Sequence, residues 1–416
     1  ADEAMMGPEF EFYVFDRLDV VNEPYRTGVD IHSSEVEPDG ATAPIRHQRG
    51  YLAIPPADHF HDLRSEIALT LEDMGIPVRY HHHEVGAPGQ CEIEIDLAPL
   101  VTVADRTMLI KYVVKNIARQ RGKLATFMPK PIFGEAGSGM HVHQKLDKGG
   151  KPLFYDEKEK NYANLSDLAL SYIGGLLKHG CALTGLTNPS TNSFKRLDMG
   201  FEAPVNLFFS LANRSAAIRV PKYAIQPADK RIEYRPPDFT CNIYLALAGM
   251  LMAGLDGIQS KIDPAKLNFG PFDVDIAKQN ESFTSKITPL PRTLYDALDA
   301  LATDCQFLCK GEVFSEAFIK GWNATKRRDE TDLIARKLAG PEQTLDDHVA
   351  SRRANAEVGR MGALGEPLLE HDVHADVAEA GRETGRDRLH AVDEIGSIHL
   401  IDEQRDVDRR IGRRRR

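Results

Sequence analysis

Two observations predict an α+β or mixed α/β fold for residues 1–328. Short runs rich in β-branched and aromatic residues alternate with longer segments in which apolar residues recur every three or four positions. The 416 residues are 42% hydrophobic and 27% charged, as expected of a folded globular chain. No apolar run approaches the roughly 20 residues of a transmembrane helix, and the acidic N-terminus is unlike a secretory signal. We therefore expect a cytoplasmic protein with no membrane partner.

The elements are predicted in chain order from these patterns. Each strand is a short run of β-formers, and each helix is an amphipathic stretch. The segment Asn22–Gly50, rich in Pro, Gly, Asp and Ser, is expected to be an exposed insertion or a long loop. The predicted strands are Glu9–Phe15, Val78–Val85, Gln90–Leu97, Leu124–Met128, Met140–Leu146, Ala216–Val220 and Arg231–Arg235. The predicted helices span about Pro56–Met74, Val101–Arg121, Asn164–Cys181, Cys241–Ile258 and Pro291–Leu308.

Five of these strands carry charged or imidazole side chains at alternate positions, which places each set on one face. The ordinary explanation is a face in contact with water. However, glycines that let a backbone approach a ligand flank several of the strands, at Gly86–Gly89 and Gly134–Gly139. The sets are Glu9 and Glu11; His82 and Glu84; Glu92 and Glu94; His141 and His143; and Arg231, Glu233 and Arg235.

A second interpretation is that these faces turn inward around cations. Buried carboxylates repel one another unless positive charge separates them, and oxygen-rich sites with an occasional imidazole suit Mg²⁺ or Mn²⁺. The pattern alone leaves a wet sheet face and a divalent-metal site as alternatives. The segment Gly137-Ser138-Gly139 is a weak phosphate-loop signal, because it lacks the Lys-Ser/Thr of a Walker loop.

Seven sequence blocks together resemble type I glutamine synthetase, in the order and at the spacing of that family. The resemblance extends from about Gly7 to Arg328, and it implies an α+β catalytic domain with a curved antiparallel sheet and outer helices. The blocks are Gly7–Phe12, His81–Glu92, Ala125–Pro131, Gly137–His143, Lys195–Pro204, Asn213–Pro221 and Arg231–Arg235.

The resemblance implies two divalent ions, Mg²⁺ or Mn²⁺, in each site. Glu11, Glu84 and Glu92 would hold one ion. The second ion, toward the ATP phosphates, would be held by Glu9, His141 and Glu233. These are residues that the strand pattern already singles out.

The resemblance also implies roles toward the substrates. Arg196 and Arg235, with the backbone near Gly137, would hold glutamate. Glu202 would close the site as part of a flap, contact glutamate and accept a proton from ammonium. Glu202 and Arg214 would be the catalytic residues. The contacts to ATP would come from His143, Arg214, Arg219 and Arg231.

The implied function is the ATP-dependent ligation of ammonia to L-glutamate through γ-glutamyl phosphate, giving glutamine, ADP and phosphate. One alternative is a γ-glutamyl–amine ligase that takes a polyamine, and another is a truncated non-catalytic homologue. The family implies a homo-oligomer of stacked rings. The net charge of −10 gives no reason to expect nucleic acid as a partner.

The composition changes near Arg328. No Phe, Tyr or Trp follows Asn323, and every basic residue after Lys337 is arginine. Residues 329–416 are therefore predicted to be a disordered or out-of-frame tail, with a solvated interaction tail as the alternative. The family resemblance implies a preceding β-grasp domain of about a hundred residues, and neither that domain nor the family's aromatic-rich C-terminus matches this sequence. We expect a truncated gene product with little ligase activity alone.

Overall fold

The computed structural model describes residues 1–23, 25–37, 43–158, 160–198, 203–274, 276–332 and 334. From residue 335 onward the predicted tail lies outside the described residues. A ten-stranded sheet with helices packed against it runs through the described part, which confirms the predicted α+β fold. Within these residues, no helix combines the length and the apolar character that a membrane crossing requires.

The sheet is antiparallel except at one edge. Its main path runs β10-β11-β12-β8-β1-β5-β4, with β6 and β7 paired to β1 and β9 paired to β8, while β2 and β3 form a separate hairpin. Only the β10–β11 pair is parallel among the described strands. The strands are β1 (Glu3–Phe15), β2 (Arg17–Glu23), β3 (Arg26–His32), β4 (Val78–His83), β5 (Gln90–Ile95), β6 (Ala98–Pro99), β7 (Leu124–Thr126), β8 (Val142–Lys148), β9 (Lys151–Pro152), β10 (Asn206–Leu211), β11 (Ala216–Val220) and β12 (Ile232–Tyr234).

The helices begin where polar side chains can accept hydrogen bonds from the first free amides. Ser166, Asn242, Thr293 and Ser315 each cap a helix in this way. The helices are α1 (His61–Asp73), α2 (Leu100–Gln120), α3 (Asp167–Lys178), α4 (Gly180–Thr187), α5 (Ser193–Arg196), α6 (Ile243–Gln259), α7 (Glu281–Thr284), α8 (Leu294–Thr303), α9 (Gln306–Cys309) and α10 (Glu316–Lys326).

One face of the sheet forms part of the hydrophobic core. Phe10 and Phe12 on β1 and Ile93 on β5 are completely buried and pack in one cluster with apolar residues of α2 and α6. Phe10 stacks on Phe239, with ring centroids 5.1 Å apart. Because side chains alternate along a strand, the positions between these apolar residues face the opposite side of the sheet.

At two of the boundaries that differ from the prediction, distant contacts extend or interrupt an element. Strand β1 begins at Glu3 and not at Glu9, since Glu3–Pro8 pairs with β8. The single helix predicted over Pro291–Leu308 is interrupted after Thr303. There the side chain of Asp304 lies 2.7 Å from Nδ1 of the buried His179.

The segment Asn22–Gly50 is not simply an exposed loop. It contributes the hairpin strand β3, and its residues Ser33 and Glu35 are buried. The prediction also missed α4, β10 and α10. The sequence of α4 is apolar on nearly every side, so it lacks the alternation of polar and apolar residues that marks an amphipathic helix.

Candidate active site

Strand register brings the predicted polar sets together on one sheet face. Glu9 and Glu11 on β1 lie directly opposite Glu94 and Glu92 on β5. On the other side of β1, His143 of β8 lies opposite Glu233 of β12. Directly opposed residues of antiparallel strands point to the same face, so these side chains share one side of the sheet. The next pairs outward are His82 with Glu92 and Arg219 with Glu233.

Glu9 lies at the centre of this face. Its Oε2 lies 2.7 Å from Nδ1 of His141, and its Oε1 lies 2.9 Å from Nε2 of His143. Arg231 donates from Nε to Nδ1 of His143 at 3.4 Å, which leaves Nε2 of His143 to donate to Glu9. Burial alone would raise the pKa of Glu9, but the two histidines outweigh burial and hold this pKa well below its ordinary value.

His141 points one ring nitrogen at three carboxylates. Its Nδ1 lies 2.7 Å from Glu9, 3.4 Å from Glu11 and 3.8 Å from Glu233. Burial, and then the nearby Arg235, lowers the pKa of His141 to about 4, so the imidazole is neutral near neutral pH. A neutral imidazole among carboxylates is a donor set that suits a divalent cation.

A second group forms at the end of β4. His82, Glu84 and Glu92 place one ligand atom each within 4.8 Å of one another. His82 Nε2 lies 3.6 Å from Glu92, although the family resemblance gives this histidine no ligand role. Glu11 is held by the backbone N–H of Gly139 at 2.7 Å. Glu11 lies within reach of a cation shared with Glu9 and His141, and it is also close enough to Glu84 to raise the pKa of Glu84.

Three carboxylates of this face, those of Glu11, Glu84 and Glu92, resist ionisation when no cation is bound. Burial, reinforced by the neighbouring carboxylates, raises the pKa values of Glu11 and Glu84 to about 7 and raises that of Glu92 well above its ordinary value. Burial, and then the charges of Glu9 and Glu84, make ionisation of Glu92 unfavourable. Divalent cations would replace these protons. The residues that fit such cations are Glu9, Glu11, His82, Glu84, Glu92, His141, His143 and Glu233.

Stabilisation by metal should therefore increase with pH. Between the ordinary carboxyl pKa of 4.5 and about 7, metal-free folded protein binds more protons at Glu11 and Glu84 than unfolded protein does, so its stability falls as pH rises. Bound cations remove this penalty and compete with protons only at low pH. We expect the rise in melting temperature caused by MgCl₂, relative to EDTA, to be small at about pH 5.5 and large at about pH 8. A rise of equal size at both pH values would contradict the raised pKa values.

Glu233 joins the polar face to two arginines. It is completely buried and accepts hydrogen bonds from Arg219 and from Arg235. Burial would raise the pKa of Glu233, but Arg235 and Arg219 are close enough to lower it. Arg235 also donates to the carbonyl oxygen of Arg214 at 2.9 Å. These contacts fix β11, β12 and the loop before β11 relative to one another.

Arg196 and the glycines near it form the neighbouring edge of the site. The guanidinium of Arg196 is buried and donates to the carbonyl oxygens of Arg235 and Pro236, both at 2.9 Å. A Cβ on Gly139 would lie 2.5 Å from Nη2 of Arg196 and 2.9 Å from Nε2 of His141. The carbonyl oxygen of Gly137 accepts from Gln90 at 3.0 Å. Only residues without side chains fit this close approach.

Aromatic residues that sequence analysis missed contact two of the predicted arginines. Tyr51 accepts a hydrogen bond from Arg214 at 3.2 Å, and the guanidinium lies 5.1 Å from the centre of its ring. The guanidinium of Arg231 lies 5.2 Å from the ring centre of Tyr223. Both tyrosines are more than 40% exposed, at 42% and 56%. Neither tyrosine belongs to an alternating pattern of polar residues in a strand, so their contacts with the arginines could not be predicted from the sequence.

Glu202 lies outside the described residues, as does Phe201. The described chain stops at Asp198 on one side of this segment and resumes at Ala203 on the other. The role that the resemblance gives to Glu202 therefore stays a prediction.

Comparisons with known proteins find glutamine synthetases similar to this chain. The family model described as glutamine synthetase, catalytic domain, matches residues 2–342. A glutamine synthetase from Streptomyces coelicolor is 47% identical over 336 residues, covering 79% of this chain and 70% of the relative. One from Frankia alni is 47% identical over 353 residues, covering 83% and 73%.

Solved structures show the same fold. A cryo-EM structure of Plasmodium falciparum glutamine synthetase superposes with a TM-score of 0.70 at 28% identity, covering 84% of this chain and 75% of that one. A structure of apo GmaS without ligand gives a TM-score of 0.64 at 28% identity, covering 84% and 72%.

Proposed function

The chain belongs to the glutamine synthetase family, and we propose that its polar sheet face ligates ammonia to L-glutamate at the expense of ATP. The observation that carries this proposal is the convergence of buried carboxylates and histidines on Glu9, beside the arginine pair Arg196 and Arg235. A wet strand face would not bury these groups. The family uses divalent metals and ATP, and the site has the donors for both.

The reaction has two steps, and each needs groups that this face offers. The side-chain carboxylate of glutamate first attacks the γ-phosphorus of ATP, which forms γ-glutamyl phosphate and releases ADP. Ammonia then attacks the carbonyl carbon, and the C–O bond to phosphate breaks. Divalent cations, held by the carboxylates around Glu9 and Glu84, would neutralise charge on the transferred phosphoryl group.

We take the roles of the chain's own residues from the family resemblance, and their positions support these roles. Arg219 donates to Glu233, and Arg231 donates to His143. Arg219, Arg231 and His143 would contact the phosphates and the rest of ATP. Arg214 at the rim would join them. Arg235, with Arg196 and the backbone at Gly137, would bind glutamate. Because their donors are fixed by the sheet, these groups would meet the substrates with little reorganisation.

Further properties are proposed from the family. The cations would be two ions of Mg²⁺ or Mn²⁺ in each site. The protein would work as a homo-oligomer of stacked rings, in the cytoplasm where ATP and glutamate are supplied. Residues 1–328 would form the catalytic domain.

The test is formation of γ-glutamyl hydroxamate from glutamate, ATP and hydroxylamine, and of glutamine from ammonia. Both products should require divalent metal. ATP binding is measured in parallel by titration, so that the result does not depend on turnover alone. A polyamine in place of ammonia tests the amine specificity. Hydrolysis of ATP with no glutamyl product from any of these acceptors would contradict the proposal.

Gly139→Ala should lower hydroxamate formation by about 10²-fold, since displacing groups in a site by about 1 Å has effects of that size. The added Cβ would press on Arg196 and His141, at 2.5 and 2.9 Å. Gly321→Ala is a suitable control, because a Cβ added at Gly321 would have no other atom within 4 Å. Gly122→Ala is unsuitable, because φ is +69° at Gly122 and a side chain there would be strained. Normal activity of Gly139→Ala would show that Arg196 and His141 can move without cost.

A further inference from the structure

The backbone of Glu84 is fixed by a buried imidazole. Glu84 directly follows β4, and its carbonyl oxygen lies 2.6 Å from Nδ1 of His83. The other ring nitrogen of His83 lies 2.9 Å from Oε2 of Glu35. The side chains of His83 and Glu35 have no exposed surface. Because a carbonyl oxygen can only accept, Nδ1 of His83 must donate.

Glu35 connects this imidazole to a distant part of the chain. Its Oε1 accepts from the backbone N–H of His59 at 3.0 Å, just before α1. Its carbonyl oxygen accepts from the N–H of Ile45 at 2.7 Å. Glu35 therefore links β4 with both ends of the loop from residue 45 to residue 59. Its carboxylate reaches His83 and His59, and its main-chain carbonyl reaches Ile45.

The same loop closes directly on His83 and Glu84. Gly50 donates to the carbonyl oxygen of Val85, and Leu52 donates to that of His83, both at 3.0 Å. A Cβ on Gly50 would lie 2.5 Å from the Glu84 carbonyl oxygen and 2.5 Å from Cε1 of His83. Between these residues, Tyr51 reaches Arg214 across the site.

We propose that Glu35 and His83 are positioning residues, which hold the main chain of Glu84 and the loop carrying Tyr51 in one arrangement. The affinity of the site for its cation then depends on a carboxylate, Glu35, that does not touch the cation. This inference rests on the proposed function, since it takes Glu84 as a cation ligand. Residues that support metal ligands from behind typically change metal affinity by about 10- to 100-fold.

The test compares two substitutions of Glu35 in the full chain. Glu35→Ala should raise the dissociation constant for Mn²⁺ at least about tenfold, as measured by calorimetric titration. Glu35→Gln should keep it within about twofold, because the amide can donate to Nε2 of His83 and its oxygen can accept from His59. Gly50→Ala should weaken Mn²⁺ binding without removing any polar group.

His179→Gln is the matched control. His179 is also buried, and its ring nitrogens lie 2.9 Å from Asp256 and 2.7 Å from Asp304, in the helical part of the fold. This variant should lose thermal stability but bind Mn²⁺ as the unsubstituted protein does. It separates a general loss of stability from a loss of positioning.

Three outcomes would overturn the inference. One is equal Mn²⁺ affinity of Glu35→Ala, Gly50→Ala and the unsubstituted protein. Another is an equal loss of affinity in His179→Gln and Glu35→Ala, which would indicate stability alone. If the unsubstituted protein binds no Mn²⁺, the proposed metal site itself is refuted, and this result is distinguishable because it appears before any substitution.

Discussion

Replacing Glu9 with glutamine should lower glutamine formation by about 10³-fold, the effect expected when charge stabilisation of a transferred phosphoryl group is lost. It should also remove the rise in melting temperature caused by Mg²⁺. The amide has the size of the carboxylate but no charge, and it cannot accept from both His141 and His143 as Glu9 does at 2.7 and 2.9 Å. The remaining carboxylates, Glu11, Glu84, Glu92 and Glu233, would have lost the central member of their group.

Asp256→Asn provides the control for this substitution. Asp256 is also a buried carboxylate and accepts from His179 at 2.9 Å, but it lies on α6, away from the sheet face. Its loss should lower the melting temperature and leave the shift caused by Mg²⁺ intact. If Glu9→Gln keeps that shift, Glu9 does not hold a cation.

The strand face that carries these residues could be predicted from the sequence because strand alternation is local. Glu9 and Glu11, or His141 and His143, are two residues apart, so their shared face follows from the strand itself. The fold class was predicted from similarly local patterns, the short β-rich runs and the amphipathic helices. The resemblance to a family then supplied a reason for charged residues on a buried face.

Pairing between distant elements could not be predicted in this way. That Glu9 meets both histidines, or that Glu11 lies with His141, depends on the register of β1 against β5 and β8. Glu35 was missed because its segment is rich in loop-forming residues, and only its contact with His83 shows that it is buried. Tyr51 was missed for a different reason, because its partner Arg214 is 163 residues away in sequence.

Glu202→Gln should lower ligation of ammonia by about 10³-fold but ligation of hydroxylamine by less than about tenfold, if Glu202 is the proton acceptor. Ammonium is not a nucleophile and must lose a proton before it attacks the acyl phosphate. Hydroxylamine is already neutral and needs no such base. Glutamine keeps the size of the flap residue, so the substitution removes basicity and charge with little change in shape.

The dependence on pH makes this experiment sharper. The defect of Glu202→Gln with ammonia should shrink as the pH rises, because more of the substrate is then neutral without help from the protein. Asp198→Asn, a change at the nearest described carboxylate before this segment, should affect both nucleophiles equally. Initial rates with each nucleophile at several pH values distinguish these cases. Equal losses with ammonia and hydroxylamine in Glu202→Gln would assign Glu202 to closure of the site and leave the proton to another base.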